Sequence, residues 1–336
     1  DTFGVASFSL MLLPVVVRLA ALALGARRPL ASVAFGPAIA WLAPAAYVLL
    51  RILALMGGRL PDRPSAVVLF GVGALAAIVL AAMAAWSRSV PQAMALLVGA
   101  QAALALGLSS GSEPLLTIAC TWLWLLLIPL AGLSSLRTPV GSASETFTLA
   151  LLTAIPGTVA FVGLWLAGLT LNAAGLRAAV IPVGLAVLVC AVAGLSRIRV
   201  PRSWRIDSSA VWASALLLIA AFPIMAMNPL VIPAASTVRL VPRGTVSAYP
   251  LGLTTAFGVW PALVVSVISV LAVGIVGWLM GPGKTLLAVT LPSTKRARAW
   301  FRFEPVRPAL PGLPGWVRYV PWIALLVVVG VASVRP

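Results

Sequence analysis

Apolar residues come in blocks of about twenty along this chain, and the polar residues between them are few, clustered and mostly basic. Ten such blocks can be marked, at about 3–25, 31–55, 65–86, 91–109, 113–133, 144–169, 175–195, 209–227, 257–280 and 318–334. A helix of roughly 20 apolar residues crosses the hydrocarbon core of a bilayer. The pattern therefore predicts an all-α, polytopic integral membrane protein with about ten transmembrane helices. Outer-membrane barrels show short alternating strands instead; these blocks are too long and too uniformly apolar. Clusters such as "GARRP", "GGRLPDRP" and "SRIRVPRSWRID" bound the blocks. Residues 228–256 read as a mixed loop with room for a short re-entrant or interfacial piece, and 282–317 as the one long basic linker. That divides the chain into a bundle over 1–256 and, over 257–336, C-terminal helices joined by the linker.

Composition agrees with the pattern. The 336 residues are 62% hydrophobic and 9% charged, against about 25% charged in soluble domains. A net charge of +17 would suggest nucleic acid in a soluble protein. Here the charges sit in short loops, where the positive-inside rule accounts for them, so no nucleic-acid partner is expected. With the N-terminus outside, the inner loops hold fifteen of the basic residues: Arg27, Arg28, Arg88, Arg137, Arg197, Arg199, Arg202, Arg205 and the seven from Lys284 to Arg318. The outer side holds six: Arg59, Arg63, Arg177, Arg239, Arg243 and Arg335. Both termini are thus expected outside an inner (cytoplasmic) membrane. The opening lacks the basic n-region of a signal peptide. Cys120 and Cys190 lie inside apolar blocks and there is no His, so neither a disulfide framework, a metal site nor a cofactor is indicated.

The six acids, Asp1, Asp62, Glu113, Glu145, Asp207 and Glu304, fall in loops or at span ends, and both lysines, Lys284 and Lys295, lie in the last linker. No span carries a central Asp, Glu, Lys or His, the groups from which proton pathways through membranes are built. Two arginines remain as candidate channel-like or buried charges. Arg51 stands near a span end, where it can snorkel to the interface. Arg18 sits deep in "MLLPVVVRLAALAL", four residues after Pro14, which deprives the Leu10 carbonyl of its helical donor. Arg18 can serve that backbone, or face a polar channel or a partner's carboxylate. A second interruption is predicted at Pro156 and Gly157, in the middle of a span: Pro156 cannot donate to the Leu152 carbonyl. Unwound backbone at membrane depth survives only where protein or water covers it, so this broken helix is expected to face the bundle interior. "GPGKT" (Gly281 to Thr285) lacks the first glycine and the preceding strand of a phosphate loop.

Three stretches, in order, resemble the antiporter-type, proton-translocating subunits shared by respiratory complex I, membrane-bound hydrogenases and multisubunit cation:proton antiporters. "VVVRLAALALGARRPLASVAFGPAIAWLAPAAYVLLRIL" is similar to that family's lysine-bearing helix, Pro-Leu segment and following helix, with Arg18 at the lysine position. "AAWSRSVPQAMALLVGAQAALALGL" follows the next element through Arg88, Gln101 and Gly107. "AIPGTVAFVGLW" keeps Pro156, Phe161 and Gly163 of the family's broken helix, with Leu164 where the family has lysine. In "CTWLWLLLIPL" the family's histidine and lysine are missing, and Trp124 stands at the lysine position. The resemblance covers about residues 8–230 and matches the C-terminal part of such a subunit.

The resemblance implies an antiporter-like bundle whose titratable residues have been replaced by Arg, Trp and Leu. The expected function is a structural or scaffolding subunit of a larger complex I-related or other energy-transducing membrane complex, not catalytic itself. The alternative is an unrelated secondary transporter for a small substrate, an anionic one among them. A membrane-embedded enzyme would need carboxylates or histidines that the spans do not offer. The expected partners are other membrane subunits and anionic lipids. The linker is the expected point of contact: Arg296, Arg298 and Arg302 stand among Trp300, Phe301, Phe303 and Trp316. That mixture suits a headgroup layer or bidentate pairing with a partner's carboxylates.

Overall fold

A computed structural model describes residues 35–56, 63–87, 90–135, 142–199 and 208–280. Arg18, the linker 282–317 with Arg296, Arg298 and Arg302, and the first and last predicted spans lie outside the described residues. α-Helix makes up 77% of what is described. Ten helices are α1 (Phe35–Leu55), α2 (Arg63–Trp86), α3 (Val90–Leu108), α4 (Pro114–Ser135), α5 (Ala143–Leu152), α6 (Val159–Ala173), α7 (Arg177–Leu195), α8 (Ser208–Ala221), α9 (Ile224–Val238) and α10 (Ala262–Met280).

Four helical stretches are long and apolar enough to cross a membrane: Ala66–Trp86, Val90–Leu108, Pro114–Ser134 and Arg177–Leu195. Val211–Ala221 and Ile224–Val238 meet at a bend of 101° and qualify as a fifth only when taken together. These helices make the chain a helical membrane protein. Helices apolar on every side belong in a protein interior or in lipid, and the chain uses both. Of the spans in α3 and α4, 83% of the residues are buried, against 33% in α2 and 28% in α7. The adjacent α3 and α4 are therefore the core, with α2 and α7 packed outside α3 and α1 and α6 outside α4.

Close approach of α2 and α3 depends on small residues. A Cβ on Gly73 would lie 2.6 Å from the Cα of Gly107 and 2.7 Å from the Ala103 carbonyl. Lipid offers no hydrophobic drive between helices, so such small-residue contacts, which let backbones meet, carry much of the association. At one end of this pair, the Arg197 guanidinium, just past α7, donates to the carbonyls of Ala85 (2.7 Å) and Ser87. It closes the C-terminal end of α2, where carbonyls have no helical donor. Burial, and then the nearby Arg199 charge, lower its pKa from the usual arginine value, yet an arginine starts too high to lose its proton near neutrality. At the same end Thr146 of α5 donates to the Arg199 carbonyl at 2.8 Å.

The stretch read from the sequence as a mixed loop holds more order than expected, and it corrects the all-α reading in one place. After α9, which contains a π-helical turn at Met227–Val231 around Pro229, come three short strands: β1 (Val246–Tyr249), β2 (Gly252–Thr255) and β3 (Gly258–Trp260). They form an antiparallel sheet in the order β1-β2-β3, pairing Tyr249 with Gly252 and Thr255 with Gly258 across two-residue turns. Strands of three and four residues are too short for alternation to stand out beside long apolar blocks, and "GVW" merged by composition with the helix after it. Pro261 separates the two, so the helix predicted from 257 begins at Ala262. The division drawn after residue 256 falls in the turn between β2 and β3.

Candidate functional site at a helix break

The sequence "LLTAIPGTVAF" cannot continue one helix. Pro156 has no N–H and its ring excludes the preceding turn, and α5 ends at Leu152 while α6 begins at Val159. Between them Ala154 has φ +52° and Gly157 φ +89°. Gly157 tolerates that conformation at little cost; Ala154 does not. Pro156 itself is exposed, while Gly157, Thr158 and Val159 are buried. The break therefore turns its glycine and threonine inward and its proline outward.

Four neighbouring helices close around the break, and two of them donate to its backbone. From the middle of α3, Gln101 donates its side-chain N–H to the Leu152 carbonyl at 2.6 Å. That is the acceptor Pro156 leaves without a helical donor. From α4, the Trp122 indole N–H donates to the Val159 carbonyl at 2.7 Å. The indole gets close because Gly163 has no side chain: a Cβ there would sit 2.9 Å from Trp122 and 2.7 Å from Leu123. From α7, Gly194 lies against Thr153 so tightly that a Cβ would overlap the Thr153 methyl. From α10, Ser266 and Ser269 pack on Gly157, with the Ser266 Cα 3.0 Å and the Ser269 Oγ 3.2 Å from where a Gly157 Cβ would be.

Several polar atoms here are buried without a partner among the described residues: Gln101 Oε1, Thr148 Oγ1, Ser266 Oγ and the indole nitrogens of Trp124 and Trp260. Trp260, at the end of β3, stacks on Phe161 and Trp165 of α6 with ring centroids 5.3 and 5.2 Å away. The sheet is thereby fixed to α6 just beyond the break.

The residues singled out from sequence fare differently. Pro156 and Gly157 lie at the break together with Gln101, Phe161 and Gly163. Leu164 and Trp124 are both buried, Trp124 completely. Arg51 is not part of this region: it is exposed on α1, on the same helix face as exposed Tyr47 and Leu55. Ser266, Ser269 and Trp122 were not picked out as polar groups of this region. Two signals in the sequence pointed to them: serines at i and i+3 on an otherwise apolar helix, and an indole directly after Thr121 in the apolar block of α4. What the arrangement offers chemically is hydrogen bonding without titratable groups: one carboxamide, hydroxyls, indoles and free backbone amides. Comparison of the chain with family models, with curated proteins and with solved structures gives no match.

Proposed function

We propose that this chain is a divergent antiporter-like membrane subunit that acts as a structural element of a larger energy-transducing membrane complex. The observation that carries the reading is the chemistry at the break. The Leu152 carbonyl is held by Gln101, a side chain that cannot titrate, and Trp124 is packed completely inside the core. A proton relay needs groups that take up and release protons; a load-bearing joint needs permanent donors, and those are present. The ordered motif resemblance supports the family assignment, and the basic linker with Arg296, Arg298 and Arg302 is the proposed contact with neighbouring subunits and anionic lipid. In this reading the protein lies in the inner membrane with both termini outside.

The test is reconstitution of the purified chain into liposomes with an internal pH-sensitive dye under imposed proton, sodium and potassium gradients. The expected result is no flux above protein-free vesicles, together with copurification of other membrane subunits from the native membrane. Robust protein-dependent ion flux would replace the scaffold with an active translocator. Uptake of a small organic anion by the chain alone would favour the secondary transporter, a reading to which the 101° bend between α8 and α9 also lends itself.

A further inference from the structure

Among the described residues, charge inside helices is confined to their first turns, with one exception. Arg63, Glu145 and Arg177 stand in the first turns of α2, α5 and α7. Arg51 stands within α1, a helix of 21 residues in which no other residue is charged. α1 packs on α4 and α9 and buries Ala45, Ala46, Leu49, Ile52 and Leu53. Its other side carries Tyr47, Arg51 and Leu55, all exposed, Tyr47 by 68% and Leu55 by 70%. Residues four apart lie one above the other on a helix, so the three form one stripe.

The two polar groups of this stripe lack partners. Neither the Arg51 guanidinium nor the Tyr47 hydroxyl makes a hydrogen bond or ion pair among the described residues. A purely apolar stripe would call for nothing but lipid. A permanent charge calls for more: arginine does not give up its proton, and an ionisable side chain within a membrane helix pairs with another group or meets water. Snorkelling past Leu55 to the nearer helix end is the other resort, and two features work against it. Helical side chains leave the backbone toward the helix N-terminus, which sends the Arg51 stem toward Tyr47 and away from that end. Tyr47, one turn further in, would keep its hydroxyl among acyl chains, whereas tyrosines that face lipid gather at headgroup level.

We propose that the Tyr47–Arg51–Leu55 stripe of α1 docks a transmembrane helix of another protein, one that carries an aspartate or glutamate level with Arg51. The guanidinium fork pairs with that carboxylate, and the Tyr47 hydroxyl donates to it from one turn away. The carboxylate has to come from a different chain. The six acids of this one fall in loops or at span ends, and the two predicted spans outside the described residues, 3–25 and 318–334, contain none. A second copy therefore sets no carboxylate inside the membrane beside Arg51. The inference rests on the scaffold reading only in requiring a second membrane protein, and it concerns α1, not the basic linker.

The test places a photoreactive benzophenone side chain at position 55 of the full chain in its native membrane, and at position 79, where Val79 is exposed on α2, as the control. Illumination is expected to join position 55 to a second membrane protein, through a peptide that mass spectrometry identifies as an apolar segment containing Asp or Glu. Arg51→Gln should remove this product and Arg51→Lys should keep it. Arg51→Glu should remove it too, and exchange of the partner's acid for arginine should bring it back. Circular dichroism shows that each variant is folded. Lipid adducts alone at position 55, a product with a second copy of this chain, or a partner segment without an acid overturns the proposal. So does a product that survives Arg51→Gln or forms equally at position 79. Loss of the α1 contact while other subunits still copurify leaves the scaffold standing; ion flux in liposomes beside an intact cross-link removes the scaffold and leaves this contact.

Discussion

The break between α5 and α6 and the bend between α8 and α9 are held by opposite means. The bend between α8 and α9 is local. Phe222 donates to Leu218, Met225 to Phe222, and both Ala226 and Met227 to Pro223, so the hydrogen bonds around the bend are made within a few residues, and the Ile219 carbonyl, which Pro223 leaves without a helical donor, is given none by them. The break between α5 and α6 is not. Its freed carbonyl is met by Gln101, 51 residues earlier, and the Val159 carbonyl by Trp122, 37 residues earlier. The difference teaches that a proline in a membrane helix has two solutions. One re-forms hydrogen bonds along the chain and needs no particular neighbours. The other borrows donors from other helices and so fixes how those helices pack.

The largest expected effect is at Gly157. Gly157→Ala forces a side chain into φ +89° and brings its Cβ to 3.0 Å from the Ser266 backbone. Left-handed backbone costs about 1–2 kcal/mol for a residue with a Cβ, and overpacking typically adds about 1–3 kcal/mol. Unfolding by SDS titration in mixed micelles should show a loss of about 2–4 kcal/mol. A loss below about 1 kcal/mol would mean that α10 does not press on the break.

Gln101→Leu comes next. It leaves the buried Leu152 carbonyl without a donor, which costs about 1–3 kcal/mol, and the same titration reads it. Trp122→Phe keeps the ring but removes one donor from a carbonyl that can still accept within α6, so about 1 kcal/mol is expected. If Trp122→Phe proved the more damaging of the two, the break would depend on packing around Gly163 and not on the freed carbonyl.

Much of this was legible in the sequence, for reasons that sort by range. The apolar blocks mark α2, α3, α4 and α7 because a bilayer demands about twenty apolar residues whatever the neighbours are. The break at Pro156 and Gly157 is equally local, since proline removes a donor wherever it stands. What answers that loss is not local. Nothing in "GAQAALA" says that Gln101 meets a carbonyl 51 residues later, although a lone carboxamide amid alanines and leucines has to find some partner. Arg51, a candidate buried charge that can equally snorkel from a span end, lies on an exposed face of α1 with Tyr47 and Leu55. The three strands stayed hidden because strands of three and four residues carry too few positions to show a period.

The smallest effect should come from Pro223→Ala, and it tests the other half of the comparison. Pro223 has φ −59° and ψ −22°, a backbone conformation that alanine adopts without strain. The new N–H gains access to the Ile219 carbonyl, one turn back, so no group loses a partner. Against that stands the greater freedom of the unfolded chain when proline is removed, about 0.4–1 kcal/mol. The net change should lie within about 1 kcal/mol, well below that of Gln101→Leu. The geometry should respond more than the stability does. With the backbone free to continue past Phe222, the 101° angle between α8 and α9 is expected to open. Spin labels at Trp212 and Thr237, both exposed, would report this as a longer distance in pulsed electron paramagnetic resonance. A loss of stability as large as that of Gln101→Leu, at unchanged distance, would mean that contacts of α9 with α1 and α4 hold the bend, and that both interruptions rely on their neighbours.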